Sequence, residues 1–296
     1  MKNQQEEFYP AALTIAGSDS GGGAGIQADL RTFNAAGVYG CSVITAVTAQ
    51  NPRQVAGIAA IAPEMVKSQL ECVFSAIAVK AVKTGMLANA KIVETVAEVL
   101  KKHNLPLIVD PVMISTSGSA LLDKDGCEAM KKLLLPMASL ITPNIPEAEY
   151  LTGRKLKNEK DYTEAAMFLA DTYKCNILLK TGHAAAAGKI SDVAVLEKKL
   201  YLLTSPRVND LEEYTTHGTG CTLSSGIAAM IAAGNNWKDA LIAAKAHVFG
   251  ALNETAHIGK KLDAMYPPLE DYTSSVSLRS AVKKSEKAEG KHARHS

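Results

Sequence analysis

The chain has 296 residues, 47% hydrophobic and 21% charged, enough to bury a large core in a soluble globular protein. A formal net charge of +2 excludes the broad basic surface of a nucleic-acid binder, so an anionic ligand would have to be gripped locally. Five scattered cysteines, odd in number and without a C-x-x-C pair, argue against a disulfide framework or a zinc site and for a reducing, cytoplasmic setting.

The first ten residues, MKNQQEEFYP, are polar and acidic and read as an extension without a signal-peptide core. No apolar run is long enough to span a bilayer, so no membrane partner is expected. Ala11 to Ala16 reads as a strand, followed by the glycine-rich GSDSGGGAG. Helical spacing then runs from Ile26 to Gly37. A buried strand is expected at Val43 to Thr48, a short one at Ile58 to Ile61, and a helix from Pro63 to Phe74. Ala78 to Val82 is a strand, Asn89 caps a helix to Lys102, and Leu107 to Val109 is a strand ending in Asp110-Pro111. A helix covers Asp125 to Leu135, and Leu140-Ile141 repeats the strand-then-proline ending. Helices follow at Pro146 to Leu151 and Tyr162 to Tyr173, then a strand from Asn176. Val193 to Leu196 and Leu200 to Leu203 form an antiparallel pair, and two alanine-rich helices cover Gly218 to Ala233 and Trp237 to Glu254.

Strand–helix alternation of this kind implies an α/β fold, a mostly parallel sheet with helices on both faces. No composition break divides residues 11–273, which are expected to form a single domain. Residues 274–296 are basic and free of aromatic side chains, and read as a disordered tail, with a short amphipathic helix around Val276 to Val282 as the alternative.

In an open parallel sheet, ligands bind beyond the carboxyl ends of the strands. The unusual residues collect there: Gly17 to Gly25, Gln50, Thr84 to Met86, Asp110 to Val112, Asn144 to Glu147, Lys180 to His183, and the loop THGTGC before Cys221. The first glycine cluster is not a Walker loop. A dinucleotide fingerprint would need an acid after the second strand, and CSVITAVTAQN supplies none. The cluster is either a plain turn or a close backbone approach to a small ligand, with Asp29 one helical turn inside.

Asp110 at a strand end is a turn acid or a magnesium ligand, and Glu147 complements a helix dipole or joins Asp110 on a metal. Lys180 emerges from a buried strand, which favours an anion partner. His183 reads as a structural or solvated loop residue. Gly218-Thr219-Gly220 exposes consecutive amides at a helix start, a ready anion site. The same field lowers a cysteine's pKa, predicting that Cys221 is partly thiolate near neutrality. It is a nucleophile, a general base or a buried capping residue. No third partner supports a hydrolytic triad with His217, and an anion hole beside a base suits phosphoryl transfer better.

The stretches ALTIAGSDSGGGAGIQADLRTF, GCSVITAVTAQN, KTGML, VDPVM, LITPNIPEAEYL, LKTGH and THGTGCTLSSGIAA, in this order, resemble the ribokinase-like superfamily. Within it they resemble the vitamin kinases: the hydroxymethylpyrimidine/phosphomethylpyrimidine kinases of thiamine synthesis and the related pyridoxal kinases. The resemblance covers about Ala11 to Ala256. It implies a three-layer α/β/α sandwich, ATP and Mg²⁺ as cofactors, a small aminopyrimidine alcohol and its phosphate as substrates, and a homodimer.

It further implies that Cys221 activates the substrate hydroxyl, with Gly218 and Gly220 as the anion hole. Asp110, Asn144 and Glu147 would serve Mg-ATP, Asp110 and Glu147 as metal ligands, with Lys180 and Thr181 near the phosphates. Gly17, Asp29, Gln50, Met86 and Val112 would line the pyrimidine pocket. Gln50 can match a ring nitrogen beside an exocyclic amine with two hydrogen bonds. In related pyridoxal kinases this position is often methionine, so Gln50 points to the pyrimidine. The alternatives are a pyridoxal or pyridoxine kinase, a dual vitamin kinase, and a noncatalytic binder on the same scaffold.

Overall fold

A computed structural model describes residues 9–113, 121–182, 188–211 and 214–281. His183, residues 1–8 of the extension and residues 282–296 of the expected tail lie outside the described residues. Strand β1 (Ala11–Asp19) is buried along nearly its whole length, which requires cover on both faces of its sheet. Its side chains divide by parity: Leu13 and Ile15 enter one core, Ala12 the other.

The chain continues as α1 (Gly25–Ala35), β2 (Tyr39–Asn51), β3 (Gln54–Ala60), α2 (Pro63–Ala76), β4 (Val79–Thr84), α3 (Ala90–Leu100) and β5 (Leu107–Val109). Helix α4 (Lys124–Ala129) runs on through a π turn, Met130–Leu134, and a 3-10 turn, Leu135–Met137. Next come β6 (Leu140–Ile141), α5 (Ile145–Thr152), α6 (Glu159–Tyr173), β7 (Asn176–Leu179), β8 (Lys189–Leu196), β9 (Lys199–Pro206), α7 (Thr219–Ala232) and α8 (Trp237–Asn253). A hairpin of β10 (Ala256–Gly259) and β11 (Leu262–Ala264) precedes β12 (Ser277–Ser280).

Ten strands form the main sheet in the order β12-β9-β8-β7-β6-β5-β4-β1-β2-β3. From β2 through β1, β4, β5 and β6 to β7 the neighbours are parallel, and the pairs toward both edges are antiparallel. This is the expected α/β/α sandwich with a mostly parallel sheet. Helices α2, α3, α5 and α6 contribute to one core, and α1, α7 and α8 to the other.

The second core is built from small residues. Ala12 and Ala81 on the strands face Ala228, Ala229 and Ala232 of α7, so that helix lies close on the sheet. Gly226 lets α8 approach as well, since a Cβ there would sit 3.0 Å from the Ala244 Cβ. The close fit brings the start of α7 onto the carboxyl ends of β1, β4 and β5.

Most boundaries agree with the sequence reading within a few residues, including the Asn89 cap, whose side chain accepts from the Ile92 amide. Three elements differ. Strand β2 runs on to Asn51 and returns as β3, a hairpin exposed along most of β3. The β10–β11 hairpin was not expected. Strand β12 forms within the stretch read as tail: it pairs with β9, and Val276 and Leu278 pack on the second core. Two alternating apolar residues in a basic segment are too short a signal to separate an edge strand from a disordered end.

Candidate active site

The parallel strands deliver polar residues to one edge of the sheet: Asp19 at the end of β1, Lys83 and Thr84 on β4, Asp110 after β5, Asn144 after β6 and Lys180 after β7. The glycine loops close over this edge. Gly25, with φ +57°, opens α1, and a Cβ there would collide with the Gly17 carbonyl. Gly218, with φ +85°, caps α7, and a Cβ there would collide with the Gly23 carbonyl. The starts of α1 and α7 are thereby held against each other. Thr219 and Thr222 donate to Thr216 and Gly218 carbonyls, while the Gly218, Gly220 and Cys221 amides take no partner among the described residues. Open backbone donors at a helix start are what an anion hole requires, and Cys221 adds one to the two expected at Gly218 and Gly220.

Two buried ion pairs lie beneath this hole. Lys83 Nζ donates to Asp29 Oδ2 at 2.7 Å, and both side chains are fully buried. Thr14 Oγ1 donates to the same oxygen at 2.6 Å, and Asp29 Oδ1 is buried without a partner. Burial opposes the Lys83 ammonium, yet Asp29, Cys221 and Asp110 outweigh it and hold its pKa above the ordinary lysine value. Burial raises Asp29 against the pull of Lys83. Asp29 is therefore not on a pocket wall, as the resemblance implied. It faces the sheet because Ile26, Asp29 and Phe33 share the inner side of α1.

Lys180 Nζ donates to Asp110 Oδ1 at 2.7 Å, and Thr142 Oγ1 donates to it at 3.1 Å. Burial would raise Asp110, but Lys180 and Lys83 prevail and hold it below the usual carboxylate range. Gly220 lies over this pair: a Cβ there would be 3.4 Å from Lys180 Nζ and 3.7 Å from Asp110 Oδ2. Glu147 joins from α5, where it forms a capping box with Asn144, two hydrogen bonds of 2.8 Å each. Burial pushes Glu147 up to about 7, Lys180 opposing and Asp110 adding.

Cys221 stands in the first turn of α7, partly exposed. Burial pushes its thiol up to about 11, against Lys83 and the Gly25 amide, with Asp29 and Asp110 adding to the rise. The expectation of a partly ionised sulfur near neutrality does not hold. The helix start is offset by a dry setting and two nearby carboxylates.

Gly17 and Met86 are in contact, a Cβ at Gly17 falling 3.1 Å from Met86 Sδ. Gln50, half-buried at the end of β2, lies 3.4 Å from His217 Nε2. Val112 follows Asp110 by two residues and is half-buried. Thr181 commits both its donors to β8, its amide to Asp192 at 2.9 Å and its hydroxyl to the Ser191 carbonyl at 2.8 Å.

Beside Lys180 and Gly220 opens a cavity of about 690 Å³, walled by Arg207, Asn209, Lys245, Val248 and Leu252. The sequence reading did not assign these residues. A lysine inside the otherwise apolar face of α8 was the available signal: Lys245 pairs with Asp192 at 2.6 Å. Among the described residues no three acids, histidines or cysteines cluster as a metal cage. Asp110 and Glu147 adjoin as a carboxylate pair, which suits an ion that takes its remaining oxygens from phosphates and water.

The sequence profile of the phosphomethylpyrimidine kinase family matches residues 19–265. The thiamine biosynthesis bifunctional protein ThiED of Geobacter sulfurreducens is 43% identical over 251 residues, 84% of this chain, and the chain spans 50% of that relative's length. The hydroxymethylpyrimidine/phosphomethylpyrimidine kinase of Streptomyces coelicolor is 45% identical over 250 residues, 84% of this chain and 91% of that one. Among solved structures, the pyridoxal kinase of Staphylococcus aureus in complex with pyridoxal matches with TM-score 0.82 at 31% identity, over 93% of this chain and 100% of that one. The phosphomethylpyrimidine kinase of Clostridium difficile 630 matches with TM-score 0.71 at 41% identity, over 81% and 97%.

Glu147 gives a pH-dependent test. Its folded pKa of about 7 exceeds the ordinary 4.5, so the folded state keeps a proton that the unfolded chain releases between those values. Stability from this group therefore falls as pH rises through that window. Glu147→Gln, which keeps an acceptor for the Asn144 amide, is expected to stabilise the empty protein by about 1–3 kcal/mol at pH 8 and by almost nothing at pH 4.5. Urea unfolding at the two pH values checks this, and equal differences at both would contradict it.

Proposed function

The chain belongs to the phosphomethylpyrimidine kinase family, and we propose that the cavity beside Lys180 and the acceptor side beneath Gln50 are the donor and acceptor halves of one active site. The activity is ATP-dependent phosphorylation of 4-amino-5-hydroxymethyl-2-methylpyrimidine and then of its monophosphate, in thiamine biosynthesis. The observation that carries the site assignment is the start of α7. Three amides there, without partners among the described residues, stand over the Lys180–Asp110 pair, with the Cys221 sulfur beside them.

The amides of Gly218, Gly220 and Cys221 hold the oxygens of the migrating phosphoryl group, and Lys180 adds a cation at the same place. As the substrate oxygen bonds to the γ-phosphorus and the bond to the β-phosphate oxygen breaks, Cys221 accepts the hydroxyl proton. Lys83 is the charge that favours the sulfur's ionised form. The donor cavity takes the nucleotide, with Arg207 and Lys245 as cations on its wall. Asp110 and Glu147 would hold magnesium, which when bound neutralises charge between the phosphates. Asn144 acts through its cap on Glu147. Gly17, Gln50, Met86 and Val112 surround the pyrimidine.

The overlap with pyridoxal kinase concerns the shared fold, and Gln50 favours the aminopyrimidine. The reading extends to the cytoplasm, supported by five cysteines that are all free. It also extends to a homodimer through the β3 edge. That strand is exposed along most of its length, with Ile58 42% and the neighbouring Val47 48% exposed, an apolar edge that invites cover.

A coupled ATPase assay with the pyrimidine, its monophosphate and pyridoxal as competing acceptors tests the substrate. The pyrimidine and its phosphate are expected to turn over well ahead of pyridoxal, and preference for pyridoxal would overturn the reading. Because a phosphate acceptor needs little help in losing a proton, Cys221→Ala is expected to cost about 10²–10⁴-fold in the first step and much less in the second. Equal losses would contradict the role of the sulfur. Sedimentation equilibrium is expected to show a dimer at micromolar concentration that Ile58→Lys weakens, and a monomeric wild type would refute the interface.

A further inference from the structure

His217 stands behind the proposed acceptor site and has no part in phosphoryl transfer. It is buried, packed against Gly23, whose Cβ, if present, would lie 2.6 Å from the imidazole Cδ2. Its Nε2 lies 3.0 Å from Asp19 Oδ2 and 3.4 Å from the end of the Gln50 amide placed as nitrogen, Nε2. The other end of that amide lies 3.2 Å from Thr48 Oγ1.

The protons of this group can be counted. Asp19 is an acceptor, fixed in place by the Gly21 and Ala24 amides at 2.8 Å each. His217 must therefore carry its proton on Nε2, facing the carboxylate. An amide nitrogen of Gln50 turned toward that N–H would set donor against donor, whereas the carbonyl oxygen accepts from it. At the opposite end, Thr48 donates its only hydroxyl proton to the Ser18 carbonyl at 2.9 Å, which leaves it a lone pair for the amide N–H. The His217 end thus calls for the amide turned over, carbonyl to His217 and nitrogen to Thr48, and Thr48 accommodates it by donating to Ser18.

We propose that His217, held by Asp19, is a positioning residue that sets the donor–acceptor polarity of Gln50 and so selects a 4-aminopyrimidine over its 4-oxo counterpart. This inference rests on the proposed pairing of Gln50 with the substrate. A 4-aminopyrimidine offers an acceptor nitrogen beside a donor amine. A 4-oxopyrimidine offers a donor N–H beside an acceptor oxygen, which an amide locked one way opposes and a freely turning amide accommodates.

The test is the ratio of kcat/KM for the 4-amino and 4-oxo forms of 5-hydroxymethyl-2-methylpyrimidine in the wild type, His217→Leu and His217→Gln. Leucine removes the donor, and glutamine restores an N–H near the Nε2 position. The wild-type ratio is expected to fall about tenfold or more in His217→Leu, chiefly through KM for the amino form, and to return within about threefold in His217→Gln. A merely structural role would lower both substrates alike, so a ratio unchanged in His217→Leu overturns the proposal. Thr48→Val, which removes the other anchor, is expected to lower the ratio in the same direction. An unchanged ratio there overturns the proposal even if His217→Leu does not fold. A wild type inactive on the aminopyrimidine would instead remove the substrate reading, and this inference with it.

Discussion

A carboxylate taken out of water must be answered by a cation or hydrogen bonds, and removing one partner of such a pair costs about 3–5 kcal/mol. Here that constraint falls on Asp29 and Asp110, answered by Lys83 and Lys180 at 2.7 Å in each case. The four residues come from α1 and from the ends of β4, β5 and β7, so the strand order itself decides that the charges meet. Glu147 shares Lys180 with Asp110, and its raised pKa reflects burial first, with Asp110 adding to the rise.

Sterics complete what electrostatics begins. The small residues of α7 let the helix settle on the sheet, and Gly218 and Gly25 let two helix starts touch without a side chain between them. Any Cβ at Gly218 would push against the Gly23 carbonyl and lift the loop that carries the amides. The proposed donor and acceptor halves therefore meet at the first turn of α7.

Much of this was legible in the residues. Alternating buried runs and helical spacings announced the parallel sheet, and the strand-end residues Asp110, Glu147, Lys180 and Gly218 to Cys221 converge as the sequence suggested. What escaped depended on tertiary context. The family resemblance put Asp29 in the pyrimidine pocket, but its place on the inner face of α1 turns it to Lys83. The Asp19–His217–Gln50 group joins residues up to 198 positions apart, and no local pattern links them. Arg207 and Asn209 follow an ordinary strand, and only the cavity wall marks them.

The ionisation of Cys221 is where local and tertiary physics disagree most. A helix start favours a thiolate, while burial beside Asp29 and Asp110 opposes it and sets the thiol near 11. Burial prevails in the protein alone, and the proposed role of the sulfur as a base requires bound substrates to compensate that charge. The rate of iodoacetamide alkylation at Cys221, followed by mass spectrometry of its peptide, reads this directly. The account predicts a rate that climbs about tenfold per pH unit with no plateau up to pH 10. A plateau with a midpoint near pH 8 or below would contradict it.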